Sequence, residues 1–149
     1  MMSLELTALR ILVVEDDIDA RGLLLLALQG LGHDARAVGD AHAACAEIVG
    51  GEIDVVLSDW ILPGMSGLDL CQHVRRTERD RYIYFVLVTG FGDGEHFAEA
   101  IRAGADDVQR KPVDVDELDA RLVMAARTLA LHRRLPDRYA ARAHPKISS

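Results

Sequence analysis

The sequence has little of what stabilises small secreted domains and nothing resembling a membrane span. It contains 2 cysteines, and neither Cys45 nor Cys71 has a CxxC motif or a histidine partner nearby. We therefore expect two reduced core thiols and neither a disulfide nor a metal site at these positions. No apolar run approaches the roughly 20 residues that a membrane-spanning helix needs. The start, MMSLELTALR, lacks the basic region and apolar core of a signal peptide, which predicts a cytoplasmic protein with no membrane partner.

Aromatic residues are also scarce, at 5% of the chain, although 50% of all residues are hydrophobic. This composition excludes disorder throughout and favours an aliphatic sheet covered by helices. A length of 149 residues suits one domain with a sizeable core.

The charge is unevenly distributed along the chain. The net charge is −7, but residues 125–149 carry six basic residues against one acidic residue, a balance of +5, which leaves −12 on residues 1–124. An acidic body argues against nucleic-acid binding by the domain, because phosphate contacts need clustered lysine and arginine. The basic tail could bind nucleic acid, but a solvated helix end or linker is the favoured interpretation.

Short apolar runs alternate with longer segments of helical periodicity. The predicted strands are 10–14, 35–38, 53–57, 83–88 and 107–109, and the predicted helices are 18–31, 41–49, 67–76, 95–103 and 115–134. This alternation favours right-handed crossovers and a parallel sheet covered on both faces. The expected buried face of the first helix consists of Leu23, Leu24, Ala27, Leu28 and Leu31.

Polar residues stand where the predicted strands end, which is where ligands of such sheets bind. They are Glu15, Asp16, Asp17, Asp59, Thr89 and Lys111. Clustered carboxylates raise one another's pKa values unless a cation lies among them, and Mg2+ suits such oxygen ligands. Lys111 and Thr89 add an ammonium and a hydroxyl for the oxygens of a phosphoryl group. We expect Asp59, left exposed after an apolar strand, to be the nucleophilic carboxylate.

A simpler interpretation is that Asp16, Asp17 and Asp59 only cap helices and loops, as aspartate often does. It leaves the spacing of Thr89 and the placement of Lys111 before a proline as coincidences, so we disfavour it. The glycine-rich loop at 90–94 is not followed by the Lys-Ser/Thr pair of a phosphate-binding loop. We interpret it as a strand-to-helix connection.

Four motifs in chain order resemble those of receiver domains of two-component response regulators: VVEDD, SDWILPGMSG, VLVTG, and GADD followed by RKP. The separations of 43 residues from Asp16 to Asp59, 30 to Thr89 and 22 to Lys111 are similar to those of the family. The resemblance covers about residues 10–134, and we assign 8–134 to the receiver and 135–149 to a basic tail or linker. It implies a flavodoxin-like, doubly wound α/β fold whose five-stranded parallel sheet has the order 2-1-3-4-5, with five helices.

The resemblance also implies roles for individual residues. Asp59 would be phosphorylated by the phosphohistidine of a sensor histidine kinase or a histidine phosphotransfer protein. Asp16, Asp59 and the main-chain carbonyl of Ile61 would bind Mg2+, for which Mn2+ can substitute, and Glu15 would act through a water.

The remaining motif residues would form the switch. Thr89 would move toward the phosphoryl group and Lys111 would pair with it, while the bond from Lys111 to Pro112 is expected to be cis. Asp17 lies one place beyond the acidic pair and is better interpreted as opening the first helix, near its N-cap.

Three further positions, which are Val108, Ile61 and Trp60, are expected to influence the site or to lie close to it. Val108 stands where the family usually has an aromatic switch residue, so we expect the signal to pass through the loop around 90–94. Ile61 is apolar where many relatives carry a polar side chain that helps to place the hydrolytic water, which predicts a long-lived phosphorylated form. Trp60 is expected to be partly exposed beside the site.

The predicted output is a changed surface on the fourth helix, fifth strand and fifth helix, which the family also uses for homodimers. Glu117 and Arg121 are four residues apart, so a local ion pair is favoured over pairing with Asp106 or Asp107 of a second subunit. None of the histidines is expected to be catalytic. The domain would not be an enzyme beyond catalysing its own phosphorylation and dephosphorylation.

Two other functions were weighed. An aspartyl-phosphate phosphatase needs a second aspartate two residues after the nucleophile, where this chain has Ile61. A degenerate, unphosphorylated binding module is disfavoured by the retained acidic, hydroxyl and lysine residues. No effector is visible, so the chain is either a single-domain regulator or a fragment of a longer kinase, cyclase or transcription factor.

Overall fold

Five parallel strands form one sheet with helices on both faces in the computed structural model, which describes residues 8–77, 81–90 and 92–134. The strand order is β2-β1-β3-β4-β5, which confirms the predicted fold. The predicted tail at 135–149 lies outside the described residues. In chain order the elements are β1 (Arg10–Val14), α1 (Ile18–Gly30), β2 (Asp34–Val38), α2 (Ala41–Gly50), β3 (Val55–Asp59), α3 (Gly67–Thr77), β4 (Tyr84–Thr89), α4 (Gly94–Arg102), β5 (Asp107–Arg110) and α5 (Val115–Arg134).

The central strands β3 and β4 are buried along their whole length, as expected for a parallel sheet covered on both faces. Successive side chains point to opposite faces, and two hydrophobic clusters result. One cluster joins Val56 and Phe85 to residues of α2, α3 and α4. The other joins Val55 and Val86 to residues of α1 and α5.

The ends of β3 and β4 differ from the prediction. β3 begins at Val55, two residues later than predicted, and runs on to Asp59. Asp59 lies in register with Val88 of β4, and the next amide, of Trp60, donates to the Val88 carbonyl at 2.9 Å. The polar residue is therefore the last member of the strand, because main-chain pairing with β4 continues past the end of the apolar run.

Helix α1 corrects the predicted buried face. Leu28 is buried and Leu24 packs against the same hydrophobic cluster, as predicted, but Leu23, which was also predicted to be buried, is 70% exposed. The four consecutive leucines at 23–26 place apolar side chains on every side of the helix, because successive residues are about 100° apart. The sequence therefore does not single out one buried face, which is determined by packing on the sheet. Asp17 is the N-cap, as predicted, and accepts a hydrogen bond from the Ala20 amide at 2.8 Å.

The two cysteines and the lengths of the helices bear on what the sequence excludes. Cys45 and Cys71 are both thiols, as predicted, and Cys71 is buried while Cys45 is half-buried. Burial raises the pKa of the Cys45 thiol. Within the described part of the chain, no helix combines the length and the apolarity that crossing a membrane requires.

Asp54 organises the edge of the sheet where the strands begin. Its side chain is 5% exposed and accepts hydrogen bonds from the Arg10 amide at 2.8 Å and from Arg133 Nη2 at 2.7 Å. Arg81 Nη2 lies 3.5 Å away. Burial acts to raise the pKa of the Asp54 carboxyl, but the hydrogen bonds from Arg10 and Arg133 outweigh it and the pKa lies below its usual range. The last turn of α5 is thereby attached to β1 and β3.

Gly67 brings α3 against the strand end that carries Asp59. Its amide donates to the Trp60 carbonyl at 2.8 Å. A Cβ atom at this position would lie 2.0 Å from the main-chain oxygen of Asp59 and 3.0 Å from Cδ2 of Leu87. Only glycine permits this approach, so residue 67 helps to determine where Asp59 lies.

We predict that Gly67→Ala destabilises the protein by about 1–3 kcal/mol, since the added methyl group overlaps main-chain atoms that cannot move easily. Urea unfolding measures the change. Gly94→Ala is the matched control, because a Cβ there meets no atom within 4 Å, and its effect should stay below about 0.5 kcal/mol. Equal effects of the two substitutions would contradict the close approach.

We predict that Asp54→Asn lowers the free energy of unfolding at neutral pH by about 1–3 kcal/mol, because the arginines lose their charged acceptor. A carboxyl whose pKa is lowered on folding contributes stability above its unfolded pKa of about 3.9 and loses it as the pH falls toward the folded value. The difference between wild type and variant should therefore shrink in acid. Glu52→Gln is the control, since Glu52 is a 69% exposed partner of Arg10; a pH-independent difference for Asp54→Asn would contradict the prediction.

Candidate functional site

The carboxyl ends of four strands bring the predicted site residues into one surface cleft. Glu15 follows β1 and is 7% exposed, Asp59 ends β3 at 8%, and Thr89 ends β4 at 2%. Lys111 follows β5, and Asp16 lies exposed at the rim. All five residues line the same cleft because parallel strands end at the same edge of the sheet.

Asp59 is held by groups from two directions and is less exposed than predicted. Lys111 Nζ donates to Asp59 Oδ2 at 2.8 Å and lies 3.7 Å from Glu15 Oε1. The Ile61 amide donates to Asp59 Oδ1 at 3.4 Å. The carboxylate is enclosed at the bottom of the cleft because the turn after β3 folds back over the strand end.

Three carboxylates surround a point at which a cation would be bound. Ligand oxygens of Glu15, Asp16 and Asp59 all lie within 4.8 Å of one another. Burial raises the pKa of the Glu15 carboxyl, and the charges of Asp59 and Asp16 raise it further, whereas the Asp17 amide and Lys111 act in the opposite direction. One lysine does not balance three carboxylates, so the donor set fits a hard divalent cation.

Lys111 is the positively charged partner of Asp59 in the cleft. Partial burial acts to lower the pKa of its ammonium, but the hydrogen bond to Asp59 and the nearby carboxylates raise it above its usual value. The Lys111 amide donates to the Thr89 carbonyl at 2.9 Å, which ties the residue to the end of β4. The bond from Lys111 to Pro112 is cis.

Ile61 and Val108, the two positions expected to differ from the usual residues of receiver domains, lie on different sides of the site. Ile61 is 64% exposed and lines the cleft mouth beside Asp59. Val108 is half-buried and packs against the hydrophobic cluster of α2, α3 and α4. An apolar side chain, Ile61, therefore faces solvent beside Asp59, and a branched valine occupies the position at which an aromatic switch residue was expected.

The prediction that Trp60 is partly exposed was wrong. The residue is 8% exposed, and its side chain belongs to the hydrophobic core. Its ring lies 5.6 Å from that of His96, centroid to centroid, at an interplanar angle of 76°. This contact with His96 was not predicted from the sequence, because the length of a loop does not reveal which face of α4 meets Trp60. The buried role of Asp54 was not predicted either, although a carboxylate between Ile53 and two valines indicates a charged residue placed among buried ones.

Arg121 has its main partner within the same chain. Its Nη1 lies 2.8 Å from both Asp107 oxygens, and its Nη2 lies 3.5 Å from Glu117, the predicted local partner. Asp106 is bound instead by Arg75 Nη2 at 2.8 Å. The aspartates considered for a second subunit are thus already engaged within this chain.

Comparison with known proteins agrees with this geometry. The family model of the response regulator receiver domain matches residues 11–123. The chain is 34% identical over 112 residues to the phosphate regulon transcriptional regulatory protein PhoB of Pseudomonas aeruginosa, covering 75% of this chain and 49% of PhoB. It is 37% identical over 116 residues to the transcriptional regulatory protein TcrA of Mycobacterium tuberculosis, covering 78% of this chain and 45% of TcrA.

Solved structures are similar over most of the chain. NtrX from Brucella abortus superposes with a TM-score of 0.79 at 33% identity, covering 88% of this chain and 29% of NtrX. A response regulator from Chloroflexus aurantiacus gives 0.75 at 28% identity, covering 80% of this chain and 98% of the other. The chain spans about half the length of the curated relatives that it matches. From its motifs, its strand order and these matches, the chain belongs to the receiver domains of two-component response regulators.

Proposed function

We propose that Asp59 accepts a phosphoryl group from the phosphohistidine of a sensor histidine kinase or a histidine phosphotransfer protein. A carboxylate oxygen of Asp59 attacks phosphorus, the bond between phosphorus and the imidazole nitrogen breaks, and the histidine leaves. The product is an aspartyl phosphate. The observation that carries the proposal is the ion pair of 2.8 Å between Lys111 and an Asp59 carboxylate enclosed in an acidic cleft.

The neighbouring groups match the needs of phosphoryl transfer, which depends on positioning and charge neutralisation. Lys111 holds Asp59 in the cleft and offers its ammonium to a phosphoryl oxygen. Thr89 ends the adjacent strand and offers a hydroxyl on the other side. We propose that these residues make phosphorylation and dephosphorylation of the domain self-catalysed, and that Thr89 moves toward the transferred group.

A divalent cation completes this proposed site. Asp16, Asp59 and the main-chain carbonyl of Ile61 would hold Mg2+ or Mn2+, and Glu15 would act through a water. The grouping of three carboxylates within 4.8 Å supports this assignment. When bound, the ion neutralises phosphoryl oxygens that these carboxylates would otherwise repel.

Helix α1 presents exposed apolar side chains beside the cleft. Ile18, Leu23 and Leu26 of α1 are 72%, 70% and 68% exposed, although apolar side chains are usually withdrawn from water. We propose that the histidine-bearing partner covers this part of α1 while its phosphohistidine reaches Asp59.

The proposed output is a change on the surface of α4, β5 and α5. Phe97 of α4 and Met124 of α5 are 51% and 59% exposed there. A homodimer through this surface is part of the proposal, and the contact of Arg121 with Asp107 inside one chain means that apolar residues would contribute most of it.

We predict that acetyl phosphate with Mg2+ adds one phosphoryl group to the protein, measured by intact mass. Asp59→Asn should abolish the adduct, because an amide oxygen is a poor nucleophile, and chelation of Mg2+ should abolish it in the wild type. Asp69→Asn is the control, since Asp69 lies in the first turn of α3, outside the cleft.

Three results would contradict the proposal. An adduct that survives in Asp59→Asn would place phosphorylation elsewhere, and its absence from the wild type would favour a binding module. Rapid turnover of organic phosphate esters would instead favour a phosphatase.

We predict that Ile61→Asn shortens the lifetime of the phosphorylated form by about tenfold, equivalent to about 1.4 kcal/mol of activation free energy. The side-chain amide of the introduced asparagine can position the attacking water near Asp59, whereas the apolar side chain of isoleucine cannot. Loss of the mass adduct over time measures the rate. Ile61→Val keeps an apolar side chain and should decay like the wild type, and equal lifetimes for all three proteins would refute the role of residue 61.

A further inference from the structure

Trp60 connects the proposed phosphorylation site to the protein interior. It follows Asp59 directly, and its amide and carbonyl are bound to β4 and to the start of α3 through Val88 and Gly67. Its side chain is 8% exposed and belongs to the same hydrophobic cluster as Ala100 of α4. A change at Asp59 therefore begins beside a large, buried ring.

His96 forms the α4 side of a contact with that ring. The two rings meet edge to face, with centroids 5.6 Å apart, a favoured arrangement for aromatic pairs. Asp93, the N-cap of α4, accepts from the His96 amide at 2.8 Å, and its Oδ1 also lies 2.7 Å from His96 Nδ1. The ring is thus attached to the start of the helix, and a displacement of the ring displaces the first turn.

Helix α4 is attached weakly enough to respond. Ala100 is its buried residue, and Phe97 and Ile101 are 51% and 41% exposed. Elements with few buried apolar contacts have the lowest local stability. Arg110 Nη2 reaches the Gly92 carbonyl at 3.4 Å, which is the marginal limit of a hydrogen bond.

Val108 offers no comparable route. It is half-buried in the same cluster, and a β-branched valine has one strongly restricted side-chain torsion. It carries neither a ring that could exchange between two positions nor a polar group that could report on Thr89.

We propose that the contact between Trp60 and His96 transmits the change at Asp59 to α4, in place of an aromatic side chain at position 108. The inference rests on the proposed phosphorylation of Asp59. It makes His96 a transmitting residue that takes no part in phosphoryl transfer, so uptake of the phosphoryl group and the response of α4 are separable.

The test compares wild type and His96→Ala, each with and without acetyl phosphate and Mg2+. Intact mass measures phosphoryl uptake, and hydrogen exchange of the α4 amides measures the response. We expect normal uptake in His96→Ala, together with loss of the change in α4 exchange. His96→Phe keeps a ring against Trp60 and should restore the change, and His42→Ala, an exposed histidine of α2, should leave it intact.

Each other outcome overturns the inference. If His96→Ala takes up the phosphoryl group and still shows the full change in α4 exchange, the contact between Trp60 and His96 has no role in transmission. If a further variant, Val108→Ala, loses that change while His96→Ala keeps it, transmission is assigned to β5. A wild type that takes up phosphate without any change in α4 also overturns it. A wild type without an adduct overturns the proposed function first, and the inference with it.

Discussion

The ion pair between Lys111 and Asp59 joins the ends of two strands that are not neighbours in the sheet. β3 and β5 flank β4, so this contact of 2.8 Å crosses over the end of the strand that carries Thr89. The carboxylate, the hydroxyl and the ammonium lie together only while all three strands keep their register. The lysine also reduces the repulsion between Asp59 and Glu15, without which enclosing two acidic side chains in one cleft would be costly.

The two ends of the parallel strands carry charges of opposite sign in excess. At the carboxyl edge, three carboxylates exceed the charge of one lysine, and the excess favours a cation. At the amino edge, three arginines meet the single carboxylate of Asp54, and the result holds the last turn of α5 against β1 and β3. One edge is therefore suited to binding and the other to anchoring. Because Arg133 holds α5 at its far end whereas Ala100 is the buried residue of α4, α4 is the less firmly attached of the two helices, which is consistent with the proposed response of α4.

The sequence pattern predicted all ten elements, because a parallel sheet buried on both faces requires aliphatic strands that alternate with amphipathic helices. The order of the strands followed from the resemblance of the motifs to receiver domains. The sequence also predicted which residues meet in the cleft, since each one lies at the end of a strand or within two residues after it. It failed where apolarity alone was ambiguous. The leucines of α1 did not reveal which side would face water, and β3 extended to Asp59 because pairing with β4, not hydrophobicity, sets the end of a strand.

Which residues stand at the strand ends was thus determined by the sequence itself, because that depends on local periodicity and chain order. The tertiary structure alone decided the enclosure of Asp59, the burial of Trp60 against His96 and the gathering of arginines around Asp54. Each of these contacts joins residues brought together by the packing of helices on the sheet. Their distances follow from how side chains fill the space between elements, which no local pattern of residues encodes.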